Sequence, residues 1–186
     1  MFKNSASTRD MLQAFLRAEL DSPTEAPRLR NTLKELDLDD SLIVNDTVGT
    51  DGLLQLFERY RGKENVFDGL EINQLDWRWH DLQLAELESK TFTCRNNFEN
   101  RYGTRSVSEV AKIWEKASKP NGVKTRLLEG QDLQPPILVG TEEMSRLVIL
   151  EGHNRLISYL RCAAVVRFPI RSLVGIGKDI DKWNQW

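Results

Sequence analysis

Residues 147–161, with the sequence LVILEGHNRLISYLR, have the residue types of a ligand-binding turn. An apolar run reaches Glu151, a glycine follows it, and helical spacing begins near His153. The pattern predicts a strand, a tight turn at Gly152 and a helix. Gly152 can adopt a positive φ and allows a ligand to approach the backbone closely. The first N–H groups of the helix would then lie free at the end of the strand, where they can bind an anion.

The side chains of this turn suit a phosphate or carboxylate ligand. Arg155, in the first turn of the helix, could form paired hydrogen bonds with such an anion. His153 could donate a hydrogen bond or transfer a proton, and Glu151 could act as a general base or as a metal-linked carboxylate. We therefore predict Glu151 and His153 as catalytic residues. The predicted phosphate-binding residues of the turn are Gly152, His153, Asn154 and Arg155. The alternative is a capped helix with a solvated arginine and an ordinary acid at a strand end.

A second polar group precedes another predicted helix. The segment TFTCRNNFENRYGTRS is interpreted as a long polar loop, which could close over a ligand or be a solvated surface loop. In the next segment, SVSEVAKIWEKASK, the spacing of Val110, Ile113 and Trp114 predicts a helix. Thr104 and Arg105 lie near the start of that helix. They are therefore predicted as further anion ligands.

The composition indicates a sizeable core without a strong charge bias. Of the 186 residues, 40% are hydrophobic and 29% are charged, and the formal net charge is -2. Proteins whose main task is gripping duplex DNA usually carry a basic excess, so this balance argues against constitutive DNA binding. This balance does not exclude a local basic patch formed by the last third of the chain. Its basic residues include Arg155, Arg161, Arg167, Arg171, Lys178 and Lys182.

Cysteine usage and hydropathy indicate where the protein is expected to reside. Cys94 and Cys162 are far apart and lack CxxC spacing, so neither a disulfide framework nor a zinc site is predicted. The N-terminal segment MFKNSASTRDMLQAFLRAEL has no long apolar stretch of the kind found in signal peptides. No apolar run approaches the roughly 20 residues that span a bilayer. We expect a cytoplasmic protein without membrane association, and the sequence does not indicate its oligomeric state.

Helical patterns dominate the first third of the chain. A first helix is predicted after Ser7 or Thr8, either of which could cap it. A second helix is predicted to start in SPTEAP, where Ser22 precedes a proline. An acidic loop then leads to a third helix in GLLQLFERYRG. Residues 1–62 are therefore predicted to form a small helical N-terminal subdomain.

The remaining residues, 63–186, alternate between strand and helix patterns. Trp77 and Trp79 alternate with charged residues, as in a half-buried strand. Further strands are predicted in PPILVG, RLVILEG and VVRFPIRSLVGIG, and a short helix is predicted in KDIDKWNQW. This order predicts an α+β domain, in which helices pack on a mixed sheet.

The segments PPILVG and RLVILEGHNRLISYL together resemble the ParB/sulfiredoxin superfamily. Its signature is a strand, then Gly-His-x-Arg or a close variant, then a helix. The helix SVSEVAKIWEKA stands where that fold has a helix before its Pro-Ile-x-Val strand, and EINQLDWRWHDL is similar to its entry strand. The resemblance covers residues 68–175 and is strongest in residues 135–160. It implies that Gly152, His153 and Arg155 line a phosphate site.

Members of this superfamily differ in activity, so the fold alone selects none of them. They include CTP-binding chromosome-partitioning domains, nuclease-like proteins, nucleotide-dependent kinases of small molecules, and sulfiredoxins. This chain has His153 and Asn154 where sulfiredoxins have cysteine and histidine, so sulfiredoxin chemistry is not expected. A partitioning role is not expected either. It requires a helix-turn-helix domain after this one, and the sequence ends at Trp186.

Three functional hypotheses follow from these residues and this resemblance. The first is a protein that binds a nucleotide (ATP, ADP or CTP) with Mg²⁺ or another small phosphorylated ligand, for example a phosphotransferase. The second is a nuclease or DNA-binding module. The third is an interaction protein that kept the fold without its chemistry.

Overall fold

A computed structural model describes residues 4–45, 49–61, 67–89, 92–95, 97–117 and 122–186, except for the side chains of residues 115–117. The strands in these ranges are β1 Asn4–Ser5, β2 Asp76–Leu82, β3 Phe92–Thr93, β4 Ile137–Gly140, β5 Leu147–Glu151 and β6 Ile170–Ile176. The α-helices there are α1 Thr8–Leu20, α2 Ala26–Glu35, α3 Ser41–Val44, α4 Thr50–Arg61, α5 Leu84–Glu88, α6 Asn97–Tyr102, α7 Val107–Ala117, α8 Gly122–Leu128 and α9 His153–Arg161. Two short 3-10 helices occupy Ile72–Gln74 and Ile180–Lys182.

The strands form one mixed sheet in the order β1-β2-β6-β4-β5-β3. The pairs β1–β2, β2–β6 and β4–β5 are antiparallel, whereas β4–β6 and β3–β5 are parallel. Helices pack on this sheet, so the predicted α+β class is confirmed. The sheet brings the end of β5, and therefore the turn that follows it, next to the start of β4.

Strand β5 is covered on both faces. Its residues Val148 and Leu150 belong to a core shared with helices α1, α2 and α4. Its residues Leu147 and Ile149 belong to a second core, shared with α7 and α9. Successive strand side chains point to opposite faces, so this alternation places the sheet between two helical layers.

The predicted N-terminal helices are present as α1, α2 and α4, and one further turn, α3, lies within the predicted acidic loop. The cap of α1 is formed by Ser7, whose Oγ accepts the Asp10 N–H at 3.2 Å. These helices are not isolated from the rest of the chain. Their buried residues, among them Leu12 and Phe15, share one core with Trp77 of β2. Ahead of them, Asn4 of β1 pairs with β2 and extends the sheet.

The segment TFTCRNNFENRYGTRS corrects one prediction. Its described residues include strand β3 and helix α6, not a continuous polar loop. Phe92 is fully buried and pairs with Leu147 of β5. A two-residue strand and a six-residue helix are too short to show a hydrophobic period, so sequence spacing cannot reveal them. Helix α5 escapes the sequence analysis for the same reason, and the predicted terminal helix is a 3-10 turn.

None of the helices in the described ranges is both long and apolar enough to cross a membrane.

Candidate functional site

The turn after β5 has the predicted backbone geometry. Strand β5 ends at Glu151, and helix α9 begins at His153. Between them, Gly152 is the N-cap of α9, with φ 102° and ψ 20°. This is a left-handed conformation that residues other than glycine rarely adopt. A Cβ at this position would lie 3.0 Å from Pro136 Cβ and 3.1 Å from Arg155 Nη2. Glycine is therefore required here both by conformation and by space.

The start of α9 offers backbone donors. The first intrahelical bond runs from the Leu156 N–H to the Gly152 carbonyl, at 2.9 Å. The N–H groups of His153, Asn154 and Arg155 precede it in the helix, where such groups have no intrahelical acceptor. No side chain in the described part of the chain caps this helix. The partial positive charge of the helix end thus stays available to an anion.

A polar cleft of about 290 Å³ opens beside this helix end. One of its walls comes from the N-terminal helices and the connections that follow α1 and α4. The other wall is formed by the end of β5, the start of α9 and Arg95. Its charged and amide-bearing lining residues are Glu19, Glu25, Arg61, Arg95, Glu151 and Asn154. We refer to this space as the polar cleft.

Arg155 is buried beneath the turn, with 7% of its surface exposed. Its Nη2 donates a hydrogen bond to Glu151 Oε1 at 2.8 Å. Its Nε is buried and has no hydrogen-bond partner among the described residues. The sequence hypothesis makes Arg155 a direct clamp on a phosphate. In the structure its contact is with Glu151, the carboxylate that lines the cleft, so Arg155 orients that carboxylate.

His153 is also buried, and its contacts hold a neighbouring segment in place. Its ring stacks on Phe98 of α6, with centroids 4.6 Å apart and an interplanar angle of 13°. Its Nε2 accepts a hydrogen bond from the Arg95 backbone N–H at 3.3 Å. Burial lowers the pKa of His153 well below its ordinary value, and the nearby charges of Arg95 and Arg155 lower it further. The ring is therefore neutral at pH 7 and holds the backbone of Arg95, a residue that lines the polar cleft.

This burial of His153 predicts a pH dependence of stability. The folded-state pKa lies below the unfolded value of about 6.5, so the unfolded state binds more protons in that range. The free energy of unfolding should fall as the pH decreases below about 6.5, with a slope approaching about 1.4 kcal/mol per pH unit. His153→Gln keeps an acceptor for Arg95 without titrating, so its slope should be flatter. Urea unfolding from pH 5 to 8 measures both. Equal slopes would mean that the pKa of His153 is the same in the folded and the unfolded protein.

The two other predicted anion ligands have protein partners. The Thr104 hydroxyl donates to Glu109, and it accepts the Ser106 N–H at 3.2 Å. Arg105 Nε donates to the Cys94 carbonyl at 2.9 Å, and its other nitrogens donate to the main-chain oxygens of the last two residues. These bonds fasten α7 and the C-terminal segment to the strand β3 region. Neither Thr104 nor Arg105 is among the residues that line the polar cleft.

The sequence analysis missed a buried ionic network on the opposite wall of the cleft. Tyr60 OH donates to Glu19 Oε2 at 2.5 Å, and the same hydroxyl lies 3.0 Å from Glu25 Oε2, so its single proton lies between the two carboxylates. Arg61 Nη2 donates to the same two carboxylates. One signal for this network was present in the sequence. Glu19 lies at helical spacing from Phe15 and Leu16, where the buried stripe of α1 would place an apolar residue.

The surroundings of this network raise the pKa values of Glu19 and Tyr60. Burial raises the pKa of Glu19, against the hydrogen bond from Tyr60 and the charge of Arg61, and the charge of Glu151 raises it further. Burial also raises the pKa of Tyr60, with the adjacent Glu19 acting in the same direction. Glu19 and Glu151 therefore repel each other electrostatically across the polar cleft.

Two further findings bear on cofactors and relatives. Among the described residues, no three His, Cys, Asp or Glu side chains are grouped so that they could hold a metal ion. Comparisons with protein-family models, with curated proteins and with solved structures found no match to this chain.

Proposed function

We propose that this chain binds a small phosphate-bearing ligand in the polar cleft, with a nucleotide as the first candidate. One observation carries the proposal. The uncapped start of α9, represented by Asn154, and Arg95 line the same cleft. Helix N-termini bind phosphate through backbone donors and the helix dipole, and a guanidinium adds a charged donor. A cleft of about 290 Å³ is close to the lower bound of known small-molecule sites, of roughly 300 Å³.

The turn residues then divide into ligand contacts and supports. The N–H groups of the first turn of α9 and the Arg95 guanidinium would contact the phosphate. His153 would hold the Arg95 backbone, and Arg155 would hold the Glu151 carboxylate. Glu151 lines the cleft beside the proposed phosphate position, so it would be the proton acceptor of a phosphotransferase.

A divalent cation fits this proposal only together with the ligand. The described acidic residues form no cluster able to hold a metal by themselves. Mg²⁺ is commonly held by one or two carboxylates together with the phosphate oxygens of a substrate. Glu151 is the cleft carboxylate next to the helix end that would take part in such binding. Mg²⁺ would neutralise phosphate charge there.

The resemblance to the ParB/sulfiredoxin superfamily supports the same location. Its Gly-His-x-Arg signature falls on Gly152, His153 and Arg155, the residues that shape the turn. Superfamily members largely share the binding of nucleotide phosphates at this point. This chain would then be a ParB-like protein in which the buried His153 and Arg155 support the site.

DNA binding, as a nuclease or otherwise, has less support from the contacts. Several residues of the basic patch considered from sequence are engaged elsewhere. Arg155 is buried, Arg171 lies over the Trp79 ring at 4.0 Å, and Lys182 pairs with Asp179 at 2.6 Å. If the protein has a non-catalytic interaction role, neither nucleotides nor DNA should change its melting temperature in the experiment that follows.

A thermal-shift screen with ATP, ADP and CTP, each with and without Mg²⁺, tests the proposal. A ligand at 100 times its Kd stabilises by about 2.7 kcal/mol, which raises the Tm by roughly 5–10 °C for a chain of this size. Arg95→Ala should abolish the shift. Arg167→Ala removes an exposed arginine from the connection after α9, and it should leave the shift unchanged. No shift with any nucleotide would contradict the proposal, as would equal losses in both variants. Duplex DNA, added to the same screen, tests the alternative.

A further inference from the structure

The wall of the polar cleft opposite α9 is acidic. It contains Glu19 at the end of α1 and Glu25 just before α2. Glu19 is 5% exposed, and the Glu25 side chain is 33% exposed. Glu151 lies across the cleft from them and influences Glu19 through its charge. Helix α1 and the connection to α2 therefore contribute two carboxylates to one wall of this cavity.

Among the described residues of this wall, negative charges outnumber positive ones. Both Glu19 and Glu25 receive their charged hydrogen bond from the same nitrogen, Nη2 of Arg61. The Tyr60 hydroxyl is within hydrogen-bond distance of both carboxylates, but it has a single proton and no charge. Among the residues of this wall that the structure describes, one guanidinium thus faces two carboxylates, so these residues together carry a net negative charge. Such an excess in a buried place favours a cation.

Glu19 also has unused hydrogen-bonding capacity. Both donors that reach it bind Oε2. Its other oxygen, Oε1, accepts no hydrogen bond from any residue that the structure describes. An ionised carboxylate offers about four acceptor positions, so a buried Glu19 at the cleft wall can accept further donors. Ser22 and Thr24, whose hydroxyls lie 3.1 Å apart, line the same wall and add neutral oxygens.

We infer that the ligand of the polar cleft is a phosphorylated amine, whose ammonium group binds Glu19 and Glu25 while its phosphate binds the start of α9. An ammonium group has three donors and no acceptor, which matches a wall of acceptor oxygens with excess negative charge. The inference rests on the proposed function for the phosphate end. It adds that the other end of the ligand must carry an ammonium group, which phosphate binding alone does not require.

Two probes of nearly equal size separate these ends. O-phosphoethanolamine carries an ammonium group where propyl phosphate carries a methyl group. Titrations followed by NMR at pH 7 and in the absence of Mg²⁺ give a Kd for each, even for weak binding. We expect O-phosphoethanolamine to bind at least tenfold more tightly. Glu25→Gln should reduce this ratio severalfold with little change for propyl phosphate. Glu58→Gln, which neutralises an exposed acid on α4, should leave the ratio unchanged.

The outcomes distinguish this inference from the proposed function. Equal affinities for the two probes would overturn the inference and leave phosphate binding intact. Propyl phosphate binding that appears only with Mg²⁺, and then exceeds that of O-phosphoethanolamine, would show that the carboxylates hold a metal, which also overturns the inference. Binding of neither probe would contradict the phosphate site itself. Retention of the full ratio in Glu25→Gln would place the ammonium group elsewhere.

Discussion

Arg61→Ala is expected to lower the free energy of unfolding by about 3–5 kcal/mol, the range measured when a buried ion pair loses one partner. Arg61 is the cation that contacts both Glu19 and Glu25, and its side chain is 13% exposed. Its removal leaves Glu19 buried with the neutral Tyr60 as its remaining hydrogen-bond donor among the described residues. Urea unfolding at pH 7 measures the change.

Matched variants separate this effect from the loss of any arginine. Arg59→Ala on the same helix removes an exposed ion pair with Glu35, so it should change stability by less than about 1 kcal/mol. Arg61→Ala combined with Glu19→Gln removes the uncompensated charge and should recover a large part of the loss. Arg61→Ala with no greater effect than Arg59→Ala would contradict the buried network.

The raised pKa of Glu19 gives this prediction a pH signature. A carboxyl group whose folded pKa is raised favours folding below its unfolded value of about 4.3, and that contribution is lost as the pH rises through the folded value. At pH 4 Glu19 is largely protonated, so Arg61 no longer compensates a charge there. The destabilisation by Arg61→Ala should therefore be smaller at pH 4 than at pH 7.

Gly152→Ala is expected to destabilise the protein by about 2–5 kcal/mol. A left-handed conformation costs other residues about 1–2 kcal/mol, and overpacking adds about 1–3 kcal/mol. Both apply at Gly152, where φ is 102° and Pro136 lies 3.0 Å from the new Cβ. The contact with Arg155 would also displace the guanidinium that holds Glu151. Ligand affinity should fall together with stability.

Gly130 provides the control for Gly152. Its φ is +71°, yet no atom lies within 4 Å of a Cβ built there. Gly130→Ala should therefore show only the conformational part, about 1–2 kcal/mol, and leave ligand binding unchanged. Equal destabilisation by the two variants in urea unfolding would mean that the packing of the turn against Pro136 does not contribute.

The turn itself could be predicted from sequence because its determinants are local. An apolar strand, a glycine and an amphipathic helix follow each other within a few residues, and each has its own periodicity. The roles of its side chains could not be predicted in the same way. The partners of His153, the Arg95 N–H and the Phe98 ring, come from a segment more than 50 residues away in the chain. Spacing within a helix carries no information about such contacts.

The acidic wall of the cleft likewise depends on contacts between distant segments, which the sequence alone does not reveal. Helical periodicity predicts that one face of α1 is buried, but it does not say against what. Glu19 meets Tyr60 and Arg61 about 40 residues further along the chain, and Glu151 lies across the cleft. A charged residue within an apolar stripe was the one local indication. It marks a position whose partner only the fold can supply.

The most direct test of the account observes the backbone amides of α9 during titration with inorganic phosphate. NMR spectra recorded at constant ionic strength, with chloride as the reference anion, report each amide separately. We expect saturable shifts that are largest at His153, Asn154 and Arg155, and that weaken in Arg95→Ala. Phosphate-induced shifts that are absent from these three amides, or that spread over exposed arginines such as Arg167 without saturation, would contradict an anion site at the start of α9.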